Sequence, residues 1–380
     1  MLGLCLDWVR GVACSRLGYA ADKGARLITT AKKPDLPAPF PWFGGKSRVA
    51  PIVWDRFGEV KNYVEPFFGS GAVLLGRPHP PNIETINDAD GFVCNFWRAI
   101  KSDPETVASY ADWPVNESDL HARHIWLVNQ RADLTDRLCG NPDWCDAKVA
   151  GYWVWGICAW IGGGWCSGGG AWNTDGERIT KDTGRGAQRQ LPFLGNAGRG
   201  VHRKLPFLGN AGQGVHRQRP HIAGQGVHRQ RPHLADAGQG VHPWFAALSN
   251  RLRRVRVCCG DWSRVVTPAV TYRHGLTGVF LDPPYAVDDR DDCYAIESKT
   301  IAHNVREWAI ANGDNQLFRI ALCGYEGEHA MPDSWECVHW KAHGGFGNSR
   351  KNGTNKNCYR ERIWFSPHCL KQSNLLESHR

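Results

Sequence analysis

What most restricts the fold of this chain is a rhythm. Short apolar runs alternate with helix-spaced segments twice, early and late, on either side of a stretch of different character. Asn62 to Phe68 is an apolar run that enters Gly69, Ser70 and Gly71, the pattern of a buried strand, a tight turn and a helix. Ile83 to Asn87 reads as a second strand, and Phe92, Val93, Phe96, Trp97 and Ile100 then keep helical spacing. The rhythm returns with strand-like runs at Val255 to Cys259 and Gly278 to Leu281. Ser298 then caps a helix with Ile301, Val305 and Trp308 on one face, stopped at Asn312 and Gly313. Leu317 to Cys323 is a further strand. Cys337 to Trp340 and Arg360 to Phe365 are expected to form a terminal hairpin around the loop 344–357. Strand, helix, strand, helix is the order of a doubly wound α/β sheet with helices on both faces.

With 380 residues, 42% of them apolar, a sizeable core forms without staples. Glycine and polar residues interrupt the Trp-rich stretch from Gly151 to Cys166, so no run approaches the roughly 20 apolar residues of a membrane span. No membrane partner is expected. Residues 1–35 lack a basic segment before Leu2 to Leu6, and Asp7 and Arg10 break the apolar run, so they read as a loosely ordered extension. The 14 cysteines are scattered without a Cys-x-x-Cys pair, the usage of reduced thiols in a cytoplasmic protein.

The intervening stretch 109–254 reads first as helices at Ser118 to Leu138 and Asp146 to Ile161, and then as a repeat array. Aligned on Gly-Val-His, the units Arg189 to His202, Arg203 to His216, Arg217 to His228 and Arg229 to His242 are 14, 14, 12 and 14 residues long. Each carries too few large apolar side chains to stack as a solenoid, so turns or an arm are expected. Between Ala187 and His242, eight basic residues face the single acid Asp236, which places +7 of the net +9 charge there. Arg199, Arg203, Lys204, Arg217, Arg219, Arg229 and Arg231 have few acidic partners, and that concentration fits a polyanion. The histidine pairs His216/His221 and His228/His233 have no cysteine near them, and no metal is expected.

Three motifs carry chemistry. Asp282-Pro283-Pro284-Tyr285 follows a buried strand at its C-terminal end, where open α/β sheets bind ligands. A carboxylate and a proline carbonyl can hold the two N–H bonds of an exocyclic amine. Two prolines stiffen the loop, and Tyr285 offers a face to a planar base. Alone, the motif also admits the lesser reading of a rigid turn after a strand. Glu65-Pro66-Phe67-Phe68-Gly69-Ser70-Gly71 places glycines where backbone can approach a ligand, ahead of a helix N-terminus suited to an anionic group. Packing alone would also use such a turn. Asp88 closes the second strand, where an acid can bind ribose hydroxyls or cap the following helix. Trp42-Phe43-Gly44-Gly45-Lys46 is too short for a phosphate loop but can present a lysine beside a carboxylate or phosphate.

In this order and spacing, the motifs resemble the DNA adenine methylase (Dam-type) family of N6-adenine-specific DNA methyltransferases of phage and bacteria. The matching positions are Trp42 with Gly45 and Lys46, Glu65 to Gly71, Asp88, and Asp282 to Tyr285, over about residues 38–110 and 250–368. The resemblance implies a Rossmann-like methyltransferase sheet with an inserted, mainly helical target-recognition domain. It also implies methyl transfer from S-adenosylmethionine to adenine N6 in duplex DNA, with the base flipped from the stack. In that reading Trp42, Gly45, Lys46, Glu65, Pro66, Phe67, Gly69, Gly71, Asp88, Asp261 and Trp262 form the cofactor pocket. Asp282, Pro283, Pro284 and Tyr285 hold the adenine, and the repeat cations bind DNA. Residues 36–108 and 255–370 would make up a discontinuous catalytic domain, 109–254 the recognition domain with the array 189–242, and 371–380 a tail, in a monomer. Gly156 to Asn173 resembles the lead-in to that family's DNA-reading hairpin, with the repeats standing where the hairpin is expected. The alternatives are an N4-cytosine or RNA methyltransferase and a catalytically idle DNA-binding protein. Asp rather than Ser before the prolines disfavours cytosine.

Overall fold

Pro66 sets the end of the first strand. Apolar character continues to Phe68, but proline has no N–H for the ladder, and β1 stops at Asn62–Glu65. The computed structural model describes residues 36–42, 44–160, 165–166, 172–174, 179–181, 240–285, 300–340 and 360–371. Before β1 comes α1 (Ala50–Phe57), a helix not expected from the sequence. It has proline in its first turn and is closed by Gly58 at φ 54°, whose N–H donates to the Trp54 carbonyl at 2.7 Å. After β1 follow α2 (Ala72–Leu75), β2 (Ile83–Asp88), α3 (Gly91–Ser102), α4 (Pro104–Ala111), α5 (Glu117–Gly140) and α6 (Ala147–Ala159). Asn116 and Asp146 cap α5 and α6 by accepting the N–H groups of Asp119 and Val149. A short antiparallel pair, β3 (Trp172–Thr174) and β4 (Ile179–Lys181), comes next. An antiparallel pair of strands therefore begins at the end of the Gly156 to Asn173 segment, ahead of the repeats, where the sequence leads to the expectation of repeats alone.

The second half holds α7 (Val241–Leu252), β5 (Val255–Cys259), β6 (Thr277–Leu281), α8 (Ile301–Gly313), β7 (Phe318–Tyr325), β8 (Glu336–His339) and β9 (Glu361–Phe365). The seven-stranded sheet has the order β5-β2-β1-β6-β7-β9-β8. Neighbours from β5 to β7 are parallel, and β9 runs antiparallel between β7 and β8. The α/β expectation holds at this level, as does the antiparallel terminal pair. Strand order reverses at β1, between β2 and β6, so the crevice of an open α/β sheet lies at the C-terminal ends of β1 and β6.

The two faces of the sheet are covered unequally. Tyr63, Ile86, Phe280, Cys323, Ile363 and Phe365 share one apolar cluster with residues of α1 to α7. Val64, Val279, Leu281, Ile320, Leu322 and Trp364 pack on the other side with Val305 and Ala309 of α8 and with Val265 and Val266. Period-two alternation along strands that are buried throughout produces this division. The expected boundary between 108 and 109 falls inside α4, which packs on α6 and α7. Trp97, Trp153 and Trp155 are fully buried among these helices, each large side chain contributing about 1.5–3 kcal/mol by burial.

The last repeat closes on Gly240-Val241-His242, and its final two residues open α7, where His242 Nδ1 lies 2.8 Å from Glu105 Oε2. The remainder of the array, with all seven candidate DNA-binding cations and both histidine pairs, lies outside the described residues. So do the extension 1–35, Ser298, the loop 344–357 and residues 372–380. Among the described residues, no helix is long and apolar enough to cross a membrane.

Candidate active site

Strand ends bring three acids to one cleft. Glu65 closes β1, Asp88 closes β2, and Asp282 follows β6, so parallel register places all three at the same edge of the sheet. The cleft between them has about 790 Å³ of open space and is lined by Trp42, Gly45, Lys46, Glu65, Phe67, Gly69, Asp88, Asp282 and Pro284 among the residues expected from sequence.

The Gly69 turn forms one wall. Gly69 (φ 48°) and Gly71 (φ 71°) both lie in the left-handed region, where a side chain is strained. A Cβ on Gly69 would sit 2.3 Å from Trp42 Nε1, and one on Gly71 would meet the Phe68 ring at 2.6 Å. Gly71 therefore serves packing at the start of α2, while Gly69 lies on the cleft. The Gly69 carbonyl accepts from Trp97 Nε1 at 2.9 Å, and its N–H donates to Asp88 Oδ2 at 2.9 Å. Asp88 Oδ1 accepts the Asp90 N–H, and it is Asp90, not Asp88, that caps α3 by taking the Phe92 N–H at 2.8 Å. Burial raises the Asp88 carboxyl to about 6 against the pull of the Asp90 and Gly69 N–H groups. Glu65 is pushed well above the usual carboxylate range, first by burial; the Tyr63 hydroxyl, donating at 2.7 Å, opposes the shift, and the charges of Asp282 and Asp88 add to it.

The opposite wall is an ionic knot. Lys46 Nζ, almost fully buried, lies 2.8 Å from Asp282 Oδ2 and donates to the Gly44 carbonyl at 2.8 Å. It also stands over the rings of Tyr285 (5.5 Å) and Trp340 (5.7 Å). The Tyr285 hydroxyl lies 3.2 Å from Asp282 Oδ1 and 3.0 Å from Glu361 Oε2. Proline stiffness in the turn and the Lys46 ion pair fix the direction of the Asp282 carboxylate.

Other expected residues stand one step back. Pro66 offers its carbonyl to the Asn87 side chain at 3.1 Å, and Pro283 is buried behind the loop. Trp262 stacks on Phe67, with centroids 6.2 Å apart and planes at 29°, supporting a lining residue without itself lining the cleft. Asp261 is engaged in capping a 3₁₀ turn through the Ser263 N–H, and the structure does not bring it to the cleft. Sequence reasoning missed Tyr63, Trp340 and Glu361 as partners of the site, and Asp90, Phe280 and Ile301 as lining residues. For Glu361 the one local signal was a buried pair of charges, Glu361 and Arg362, at the head of the apolar run Ile363-Trp364-Phe365. Among the described residues, no group of three or more His, Cys, Asp or Glu could hold a metal ion.

Residues 42–125 match the family model of the D12 class N6 adenine-specific DNA methyltransferases. Over 100 residues the chain is 27% identical to the DNA N-6-adenine-methyltransferase of Escherichia phage P1, a match covering 25% of this chain and 13% of that protein's length. The resemblance drawn from the motifs to an adenine-specific DNA methyltransferase is borne out by these comparisons. The family match includes Trp42 to Lys46, Glu65 to Gly71 and Asp88, while Asp282 to Tyr285 lie beyond it.

Proposed function

We propose that this chain transfers a methyl group from S-adenosylmethionine to N6 of an adenine flipped out of duplex DNA. The observation that carries the reading is that Asp282, a rigidly aimed acceptor, shares one cleft with the glycine turn and with the acids that end β1 and β2. The residues fit such a donor. Gly69 lines the cleft with bare backbone, since a Cβ there would strike the Trp42 indole, and Glu65, Asp88 and Asp90 supply acceptors for ammonium and hydroxyl groups. When bound, S-adenosylmethionine supplies a methyl group already activated by a sulfonium.

What the protein contributes is alignment. Asp282 and the Pro283 carbonyl accept the two N6–H bonds, directing the nitrogen lone pair out of the ring plane and toward the donor. Tyr285 and Pro284 confine the base. Lys46 holds the Asp282 carboxylate in place through their ion pair. Asp88 accepts from the ribose hydroxyls, and Phe67, backed by Trp262, packs on the cofactor's adenine. Residues 36–108 and 255–370 supply this machinery, and 109–254 recognises the target. The +7 array, through Arg199, Arg203, Lys204, Arg217, Arg219, Arg229 and Arg231, adds DNA affinity. The setting proposed is the cytoplasm, in keeping with the free thiols of the described cysteines.

Expression in a cell that lacks adenine methylation, followed by modification-sensitive sequencing, tests the reading. N6-methyladenine at one recurring motif is expected. Unmodified DNA, together with purified protein that fails to retain S-adenosylmethionine, would leave the idle DNA-binding alternative.

A further inference from the structure

Glu361 is a buried acid that the function just proposed does not use. It opens β9 opposite Tyr325 of β7, and its carboxylate faces the same side of the sheet as Ile363 and Phe365, toward Lys46 and the Asp282 loop. Its Oε2 is 3.0 Å from the Tyr285 hydroxyl, which is also 3.2 Å from Asp282 Oδ1. A phenol has one proton to donate. Two carboxylates thus compete for a single O–H, and whichever receives it has one lone pair fewer for anything else.

We propose that Glu361 is a positioning residue for methyl transfer: by accepting the hydrogen bond that the Tyr285 hydroxyl donates, its carboxylate leaves Asp282 Oδ1 open to accept the adenine amine. The inference rests on the assignment of Asp282 as amine acceptor. Asp282 is already ion-paired with Lys46 through Oδ2, so the ionised Glu361 is the better acceptor for the phenol. Once Glu361 is protonated the order reverses. Its O–H donates to the Tyr285 oxygen, the Tyr285 proton turns to Asp282, and the acceptor is occupied. The groups that set this balance are Lys46 before α1, Asp282 and Tyr285 after β6, Cys323 on β7 and Glu328 beyond it. Burial raises the Glu361 carboxyl, Lys46 opposes that shift, and Asp282 adds to it. Activity is therefore lost as pH falls through the Glu361 titration.

The test is single-turnover methylation of duplex DNA against pH with wild type, Glu361→Gln, Tyr285→Phe and the double variant, alongside cofactor affinity. The neutral amide of Glu361→Gln competes less well for the phenol, so the rate should fall about tenfold, the equivalent of roughly 1.4 kcal/mol for one misdirected hydrogen bond. Cofactor affinity should be unchanged and the acid limb displaced to lower pH. Adding Glu361→Gln to Tyr285→Phe should change nothing further, because without the hydroxyl Glu361 has no hold on Asp282. Multiplicative losses in the double variant, or a wild-type rate and acid limb in Glu361→Gln, would overturn the proposal. Should Glu361→Gln not fold, Tyr285→Phe alone decides, since its acid limb must also move. Asp282→Asn separates the two readings. If it keeps turnover, the amine-acceptor assignment falls and the positioning role with it; if it is inactive while Glu361→Gln behaves as wild type, only the positioning role fails.

Discussion

Replacing Gly69 by alanine adds one methyl group at a position where both backbone and neighbour resist it. The residue sits at φ 48°, and an L side chain there costs about 1–2 kcal/mol. The new Cβ would stand 2.3 Å from Trp42 Nε1 and 2.5 Å from its Cδ1, so the indole must retreat by about 1 Å to regain ordinary contact. Trp42 is not free to do so at no cost, being packed on Phe40 (centroids 5.7 Å apart) and Trp153 (6.4 Å). Overpacking of this kind costs about 1–3 kcal/mol. The indole lines the cleft, so we expect the packing part to appear as weaker S-adenosylmethionine binding, about 5- to 150-fold in Kd, and the backbone part as lowered thermal stability. Calorimetric titration and a melting curve on the same preparation separate the two. In a Trp42→Ala background the retreat is unnecessary, and Gly69→Ala should then lose only the backbone part. A folded Gly69→Ala variant with wild-type Kd would refute both the clash and the place of Gly69 on the cofactor side of the cleft.

Other outcomes follow from the same geometry. Asp282→Asn should abolish turnover with cofactor affinity within several-fold, and like Asp282→Ala it should lose up to about 3–5 kcal/mol of stability, because either change leaves Lys46 buried without its paired anion; denaturant titration measures the loss. Asp88 has a folded pKa of about 6 against an unfolded value near 4, so its contribution to stability is present at low pH and lost as pH rises through about 6. Its value to the ribose runs the other way, and cofactor affinity should climb to a plateau above pH 6, a step absent in Asp88→Asn. Deleting 189–239 behind a Gly/Ser bridge, which leaves α7 whole, should keep cofactor binding but weaken DNA binding and flatten its salt dependence; unchanged affinity and slope would remove the array from DNA contact.

Much of the frame was legible because strands buried on both faces are nearly unbroken apolar runs, as at Gly278 to Leu281 and Leu317 to Cys323. Where reading failed, two local signals overlapped. α1 begins directly after the Lys46 motif, and α7 begins on the repeat's own Gly-Val-His, so repeat periodicity hid helical spacing. In the site, residues that act through backbone geometry or sequence-local turns were found. Those that act by meeting across the fold were not: Glu361 reaches Tyr285 from 76 positions away, and no spacing rule joins them. Asp261 shows the converse, an acid at a strand end whose side chain is taken up by its own turn two residues on.

The chain leaves and re-enters the frame on one support. α6 and α7 both pack on α4, and Arg251 ties the return to the sheet through Glu84 at 2.6 and 2.9 Å. The repeats therefore enter the chain between two helices held by the same third helix. A change in their copy number is expected to alter the segment that joins α6 to α7 while leaving both anchors, and the cleft of the sheet they pack beside, in place.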